Sequence, residues 1–121
     1  MWELSRSFGF EAAHTLARAV AREASLRVHG HSYRAEVTLR GVPDARGMVV
    51  DLGVFAEKLA AVRAALDHRM LDEVPGLAPA TLENLAAYIW RALAEDMPQL
   101  ARVSVHRDSL QETCTYFGPA P

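Results

Sequence analysis

From His31 to Arg40 the chain reads HSYRAEVTLR, and apolar residues fall on every second position. Tyr33, Ala35, Val37 and Leu39 share one face; Arg34, Glu36, Thr38 and Arg40 share the other. A period of two is the signature of a half-buried antiparallel strand, which needs strand neighbours and a layer over its apolar face. GVPDARG (41–47) is a turn by its Gly, Pro and Asp content, and Met48 to Val50 reads as a short strand returning to pair. Upstream, residues 3 to 10 alternate loosely through Leu4, Phe8 and Phe10, a first strand ending near Phe10. Residues 15 to 28 carry mixed charge and alanine; they admit a helix, but their place between two strand-like runs reads as a long connection.

The period then changes. Asp51 fits a helix N-cap, and Leu52, Phe55, Leu59, Val62 and Leu66 follow in steps of three and four that make one buried stripe. The stripe breaks at DHRMLDEVPGLAPA. Thr81 caps a second helix with Leu82, Leu85, Ile89 and Leu93 on one face, and Pro98 closes it. The tail holds two more strands, near 102–108 and 112–117. The order is β-β-α-α-β-β without internal repeat, so the fold class is α+β: a four-stranded antiparallel sheet with two helices on one face.

At 121 residues this reads as one domain, residues 1–121. A chain this short buries a modest share of its surface, which favours assembly with copies of itself. The net charge of −2 gives no basic footprint for nucleic acid. The opening MWELSRSFGFEAAH lacks an apolar signal core, and no run approaches ~18 apolar residues, so no membrane partner is expected. The single cysteine, Cys114, has no partner for an internal disulfide, which points to a reducing compartment, the cytoplasm.

The chemistry gathers around RVHGHSY (27–33). His29 and His31, at i and i+2 on a strand, point to one face with Cβ atoms ~7 Å apart, and Gly30 lets the backbone curl between them. A third ligand must come from elsewhere, and His14, at the end of FEAAH, is the candidate, because the first strand should pair with the one starting at His31. Three imidazoles around one open position are the donor set of a catalytic zinc. A bare His-x-His also occurs by chance, so the spacing alone leaves open an ordinary pair of strand histidines. Asp67-His68 likewise admits two readings: an oriented acid–base pair, or a helix C-terminus with His near the last carbonyls.

Taken in order, FEAAH (10–14), HGH (29–31), VVDLGVFAEKL (49–59), LDHRMLDEVPGL (66–77), TLENLAAYIW (81–90) and YFG (116–118) resemble the 6-pyruvoyl-tetrahydropterin synthase family nearly end to end. That family includes the bacterial 6-carboxy-tetrahydropterin synthases of queuosine biosynthesis. The resemblance implies the tunnelling fold, in which trimers close a barrel from their sheets and two trimers stack into a hexamer with active sites between subunits. It implies Zn2+ on His14, His29 and His31, and a lyase acting on 7,8-dihydroneopterin triphosphate, whose triphosphate is eliminated to leave a pyruvoyl or carboxy pterin. It implies that Asp67 orients His68 for proton transfer. It also implies a carboxylate that holds the amino-pyrimidine edge of the pterin through paired hydrogen bonds.

Two positions depart from the family. Its CxxxHGH motif, with a proton-abstracting thiolate, is SLRVHGH here, so Ser25 stands at the position of the family's Cys. An alkanol is a far weaker acid than a thiol of pKa ~8.5, and Glu23, two residues away, is the alternative base. The chain therefore reads as a pterin synthase, or as a diverged zinc- and pterin-binding homologue without the usual activity. The family's Glu-Thr pair, eight residues before Tyr-x-Gly, falls on Asp108-Ser109, while Glu112-Thr113 keeps the letters at another distance. Asp108 is favoured as the pterin anchor, with Glu112 second. His106 and Cys114 match no family role and read as surface or packing residues.

Overall fold

The computed structural model describes residues 1–120. Strand β1 (Trp2–His14) and strand β2 (His29–Gly41) form one long antiparallel ladder, in register from Trp2 opposite Gly41 to His14 opposite His29. β1 thus runs four residues beyond Phe10, and β2 begins two before His31. FEAAH has no β-branched residue to announce a strand; the ladder to β2 supplies the backbone bonds that propensity does not. Between them, helix α1 (Arg22–Leu26) occupies one turn and a half of the expected connection.

The sheet has five strands in the order β3-β1-β2-β4-β5, and it is mixed rather than four-stranded and antiparallel. β4 (Leu100–Arg107) and β5 (Glu112–Tyr116) continue the antiparallel pairing from β2. The extra strand β3 is Arg69–Met70, lying parallel to β1 opposite Ala12 and Ala13. His68 makes it: its φ of +57° reverses the chain after helix α2 (Leu52–Leu66), and its N–H donates to the Glu11 carbonyl at 2.6 Å. Two residues are too short to show an alternation, so β3 was invisible in the sequence. Met48 to Val50 forms no strand. The Asp44 carboxylate accepts from the Arg46 and Met48 N–H groups and folds that segment into a compact turn, with Val49 and Val50 against the core.

Both long helices form where the apolar stripes place them. The Asp51 carboxylate caps α2 through Gly53 N and Val54 N, and the Thr81 hydroxyl caps α3 (Leu82–Ala94) through Asn84 N. Phe55, Leu59, Val62 and Leu66 of α2 and Leu85, Ala86, Ile89 and Leu93 of α3 join one core with Phe10, Tyr33, Ala35, Val37, Leu39, Val103 and Val105. Leu52 is the exception; at the first turn of α2 it stays exposed beside Trp2 and Met48. The sheet's other face is polar, with hydroxyl pairs bridging neighbouring strands, Ser5 to Thr38 at 2.7 Å and Ser104 to Thr115 at 2.8 Å. No helix among the described residues is long and apolar enough to cross a membrane.

The core face sets up the site. Phe8, Phe10, Ala12 and His14 alternate down β1, and His29, His31, Tyr33 and Ala35 down β2, so the histidines extend the core stripe to the end of the ladder. Removing the α2 cap should loosen this arrangement without touching it. Asp51→Ala should cost about 1 kcal/mol of unfolding free energy in a urea titration, leaving two backbone N–H groups uncapped. A loss above about 3 kcal/mol would mean that Asp51 does more than cap.

Candidate metal centre and flanking clefts

His14, His29 and His31 each offer a ring nitrogen, and the three atoms lie within 4.8 Å of one another. Their rings stand edge to face, with centroids 4.5 to 5.0 Å apart. His14 Nδ1 meets the Ala80 carbonyl at 2.9 Å, and His29 Nδ1 meets the Arg27 carbonyl at 2.8 Å. A carbonyl only accepts, so both Nδ1 atoms carry the proton and donate. In the neutral rings this leaves a lone pair on each Nε2, and those two atoms face each other at 2.9 Å. Two lone pairs at that distance repel unless a cation lies between or beside them. A shared proton is disfavoured, because burial pushes His14 below the ordinary imidazole value. Burial, with the Arg107 guanidinium adding, holds His31 down to about 4, so it too is neutral at physiological pH. On His14 and His29, a neutral ring with its Nδ1–H fixed on a backbone carbonyl is the usual preparation of a histidine that binds a transition metal. The donor set fits zinc.

Local structure fixes those carbonyls. Ala80 stands just before the Thr81 cap of α3, where Thr81 N and Asn84 Nδ2 both donate to the Pro79 carbonyl. Arg27 is the C-cap residue of α1. The residue after His14, Thr15, donates its N–H and its hydroxyl to the Asp72 carboxylate, tying the end of β1 to the turn at 71–73. Gly30 does not curl the backbone: β2 is regular through it. A Cβ there would sit 3.4 Å from the Ala12 carbonyl, tight against the neighbouring strand.

His31 separates two clefts. The first, of about 460 Å³, is lined by Glu11, Gly30, His31, Ser32 and His68 among others. Here Asp67 is the anchor. Its carboxylate accepts from Glu11 N at 3.0 Å, pairs with Arg63 at 3.0 Å and meets His68 Nδ1 at 3.0 Å. The Glu11 N–H, with His68 and Arg63 adding, holds the Asp67 carboxyl below the usual carboxylate range. His68 is 77 % exposed while Asp67 is 15 % exposed, so a shielded carboxylate presents a solvent-facing imidazole.

The second cleft, of about 480 Å³, is lined by Arg18, Ser25, His29, His31, Arg107 and Glu112 among others. Ser25 reaches it, yet its hydroxyl is committed: it donates to the Arg22 carbonyl at 2.8 Å and accepts from Arg18 N at 3.2 Å. Glu112 stands on the cleft wall, with Oε1 2.8 Å from Arg107. Asp108 lies outside both clefts, exposed, with its two oxygens on Arg34 Nε and Nη2 at 2.9 and 3.3 Å. Glu23 is exposed on α1 and does not line the cleft. His106 bonds across to Thr113 at 2.9 Å, away from the histidine cluster, and Cys114 is a half-buried thiol pushed up by burial. Sequence reasoning missed Arg107, an isolated strand-end arginine without a motif around it. It also missed Glu11 and Asp72, whose roles arise only from the pairing of β1 with segments some 60 residues away.

Comparison with known proteins places this geometry among relatives. A family model described as 6-pyruvoyl tetrahydropterin synthase matches residues 3–119. A 6-carboxy-5,6,7,8-tetrahydropterin synthase of Synechocystis sp. is 37 % identical over 130 residues, covering 98 % of this chain and 95 % of the relative. The human 6-pyruvoyl tetrahydrobiopterin synthase is 35 % identical over 111 residues, covering 79 % of this chain and 77 % of that protein. The solved Caenorhabditis elegans 6-pyruvoyl tetrahydropterin synthase superposes with a TM-score of 0.82 at 29 % identity, covering 98 % of this chain and 96 % of that one.

Asp67 also makes the site testable by pH. Its carboxyl titrates lower in the folded chain than in an unfolded one, so the ionised form stabilises the fold. That contribution is complete above the unfolded value of about 3.9 and is lost as pH falls through the lower folded value. Asp67→Asn should therefore lower the urea midpoint at neutral pH, with the gap from the parent narrowing as pH falls below the unfolded value and through the lower folded one. A gap that held constant through that range would show that the Asp67 charge is not what the site uses.

Proposed function

This chain belongs to the 6-pyruvoyl tetrahydropterin synthase family, and from that premise we propose that it is a zinc-dependent lyase converting 7,8-dihydroneopterin triphosphate to a 6-substituted pterin with loss of triphosphate. The observation that carries the reading is the facing pair of Nε2 atoms on His14 and His29, with His31 completing the set. Zinc held by these three histidines would act as a Lewis acid toward side-chain oxygens of the substrate, acidifying the neighbouring C–H bonds. The Synechocystis relative at 37 % identity favours a carboxy product; the human relative at 35 % names a pyruvoyl one.

The other roles belong to this chain's own side chains. His68 would move the proton, oriented through Nδ1 by the Asp67 carboxylate and open to the cleft on its other side. Glu112 rather than Asp108 would meet the pterin's adjacent N–H donors. It stands on the cleft wall with one carboxylate oxygen on Arg107, whereas Asp108 lies outside both clefts with both oxygens on Arg34. The Ser25 hydroxyl, tied to Arg22 and Arg18, has no base beside it and favours a second reading, a diverged member that binds zinc and pterin but turns over slowly.

One reaction decides between these. Incubating the zinc-loaded protein with 7,8-dihydroneopterin triphosphate, and identifying the pterin and any two-carbon fragment released, should give a carboxy or pyruvoyl product at a low rate. Ser25→Cys should raise that rate by about two orders of magnitude if a thiolate belongs there. Equal, vigorous turnover in both forms would assign the proton to His68 alone. His31→Ala should lose the roughly one zinc per chain expected of a three-histidine site; an unchanged metal content would remove that ligand set.

Assembly follows from the open sheet edges. β3 covers only Ala12 and Ala13 of β1, so most of the outer edge of β1 carries no partner strand within the chain, and β5 is the other edge. Such edges call for a cover. Closing three sheets into a barrel, with two such rings stacked, satisfies this, and light scattering should give a hexamer. A stable monomer at micromolar concentration would overturn both the assembly and a site shared between subunits.

A further inference from the structure

The three-histidine cluster has an acid–base side at His68 and a cationic side at Arg107. Arg107 ends β4, opposite Glu112 on β5, where a strand-end arginine would ordinarily reach into water. Instead its side chain is only 16 % exposed. One guanidinium nitrogen lies 3.4 Å from His31 Nε2, another 2.8 Å from Glu112 Oε1, and Nε is buried without a partner. Tyr33, 3 % exposed with its ring against His31, buries its hydroxyl beside the same guanidinium, too poorly aligned with it to satisfy either group. Arg107's one ion-pair partner among the described residues is the half-exposed Glu112, and Arg18 adds a second positive group to the same cleft. A guanidinium this shielded, with hydrogen-bonding capacity left over, beside a donor set for a dication, leaves the cleft short of negative charge. A structural ion pair has no need to place a cation on a histidine that offers a metal ligand.

We propose that Arg107 is the anion anchor of this site, a guanidinium that leaves His31 for an anionic oxygen of a ligand in the Ser25–Glu112 cleft and so selects ligands with a negative group next to the ring over neutral alcohols. The inference rests on the pterin reading above and adds to it which ligand chemistry the cleft prefers. Arginine suits this role because its planar fork offers paired donors to a carboxylate or phosphate. The same contact predicts that Arg107 and a metal compete for His31.

The test uses full-length zinc-loaded protein, parent and Arg107→Gln, titrated calorimetrically with pterin-6-carboxylate, 6-hydroxymethylpterin and inorganic tripolyphosphate. The parent should bind the carboxylate about tenfold or more tightly than the alcohol, and Arg107→Gln should lose that preference, with Arg107→Lys recovering part of it. If tripolyphosphate instead loses affinity in Arg107→Gln and the pterins are not distinguished, the anchor stands and its ligand is the phosphate tail. If both pterins bind, and neither the preference nor tripolyphosphate binding responds to the substitution, the anchor is wrong and the pterin reading survives. If no pterin binds the parent, the pterin reading fails and tripolyphosphate alone decides for or against Arg107. Zinc affinity, read by chelator competition, gives a readout independent of any ligand: Arg107→Gln should hold zinc more tightly than the parent, and weaker binding would overturn the competition for His31.

Discussion

Two imidazole nitrogens that face each other at 2.9 Å, each with its proton fixed on the far side of the ring, are the constraint around which this molecule is arranged. The arrangement is unfavourable in isolation, because both Nε2 lone pairs point at the same space. It persists because rigid elements hold each ring. The Ala80 carbonyl is set by the capped start of α3, and the Arg27 carbonyl by the end of α1. The ladder places His14 directly opposite His29. Burying polar groups in a repulsive geometry costs free energy that the fold must offset elsewhere, and such local conflicts mark functional sites rather than packing errors. A dication held between the rings would remove the conflict, turning two repelling lone pairs into two donor atoms.

How the chain reaches that geometry follows from period and register. β1 and β2 alternate in phase, so a one-residue slip of β1 would move His14, and one of β2 would move His29 and His31, to the polar face along with that strand's core residues. Phe10, Tyr33, Ala35 and Val37 therefore fix the three histidines as well as the core. They lock the register that brings His14 to His29. The stacked rings of Phe10 and Tyr33, 4.9 Å apart at 12°, lie next to the cluster on this same stripe. Tyr33 stands in both systems at once, its ring in the core and its hydroxyl at the Arg107 end of the site.

Much of this was legible in the sequence. The strand at 31–40, the caps at Asp51 and Thr81 and both helical stripes are local patterns, and local patterns survive folding when tertiary contacts agree with them. His29 and His31 were legible for the same reason, since a period of two puts them on one face. What the sequence concealed depends on contacts between distant segments. β3 exists because His68 turns back onto Glu11, and Asp72 holds the end of β1 across more than fifty residues. Arg107 and Asp108 are adjacent strand-end charges of equal prominence in the sequence. Strand alternation keeps Arg107 in phase with Val103 and Val105 and sends it toward His31, while Asp108, the next residue, falls on the Arg34 side; what stays hidden is that β2 and its histidines lie alongside. Counting back from Tyr116 favours Asp108 over Glu112, but a count carries no information about clefts, and on the proposed reading Glu112, on the wall of the second cleft, takes that role.

The position of Ser25 gains meaning from the same distribution of charge. Its backbone and hydroxyl together hold the wall of the second cleft: Leu16 N donates to its carbonyl at 2.7 Å, Arg18 N to its Oγ, and its own N–H and O–H return to Ala21 and Arg22. A side chain with its proton committed to a carbonyl and its lone pair to an amide is a fastener. On the proposed reading, proton transfer then falls to the other cleft, where His68 is exposed and Asp67 holds its Nδ1. Charge compensation falls to this one, where Arg107 is shielded. Separating the two functions across His31 has a physical advantage. An imidazole that must gain and lose a proton works poorly beside a guanidinium, which would suppress its charged form, whereas an anionic group on the ligand is stabilised there. His68 and Arg107 line different clefts on either side of His31, and the Asp67 carboxylate fixes the orientation of the His68 ring.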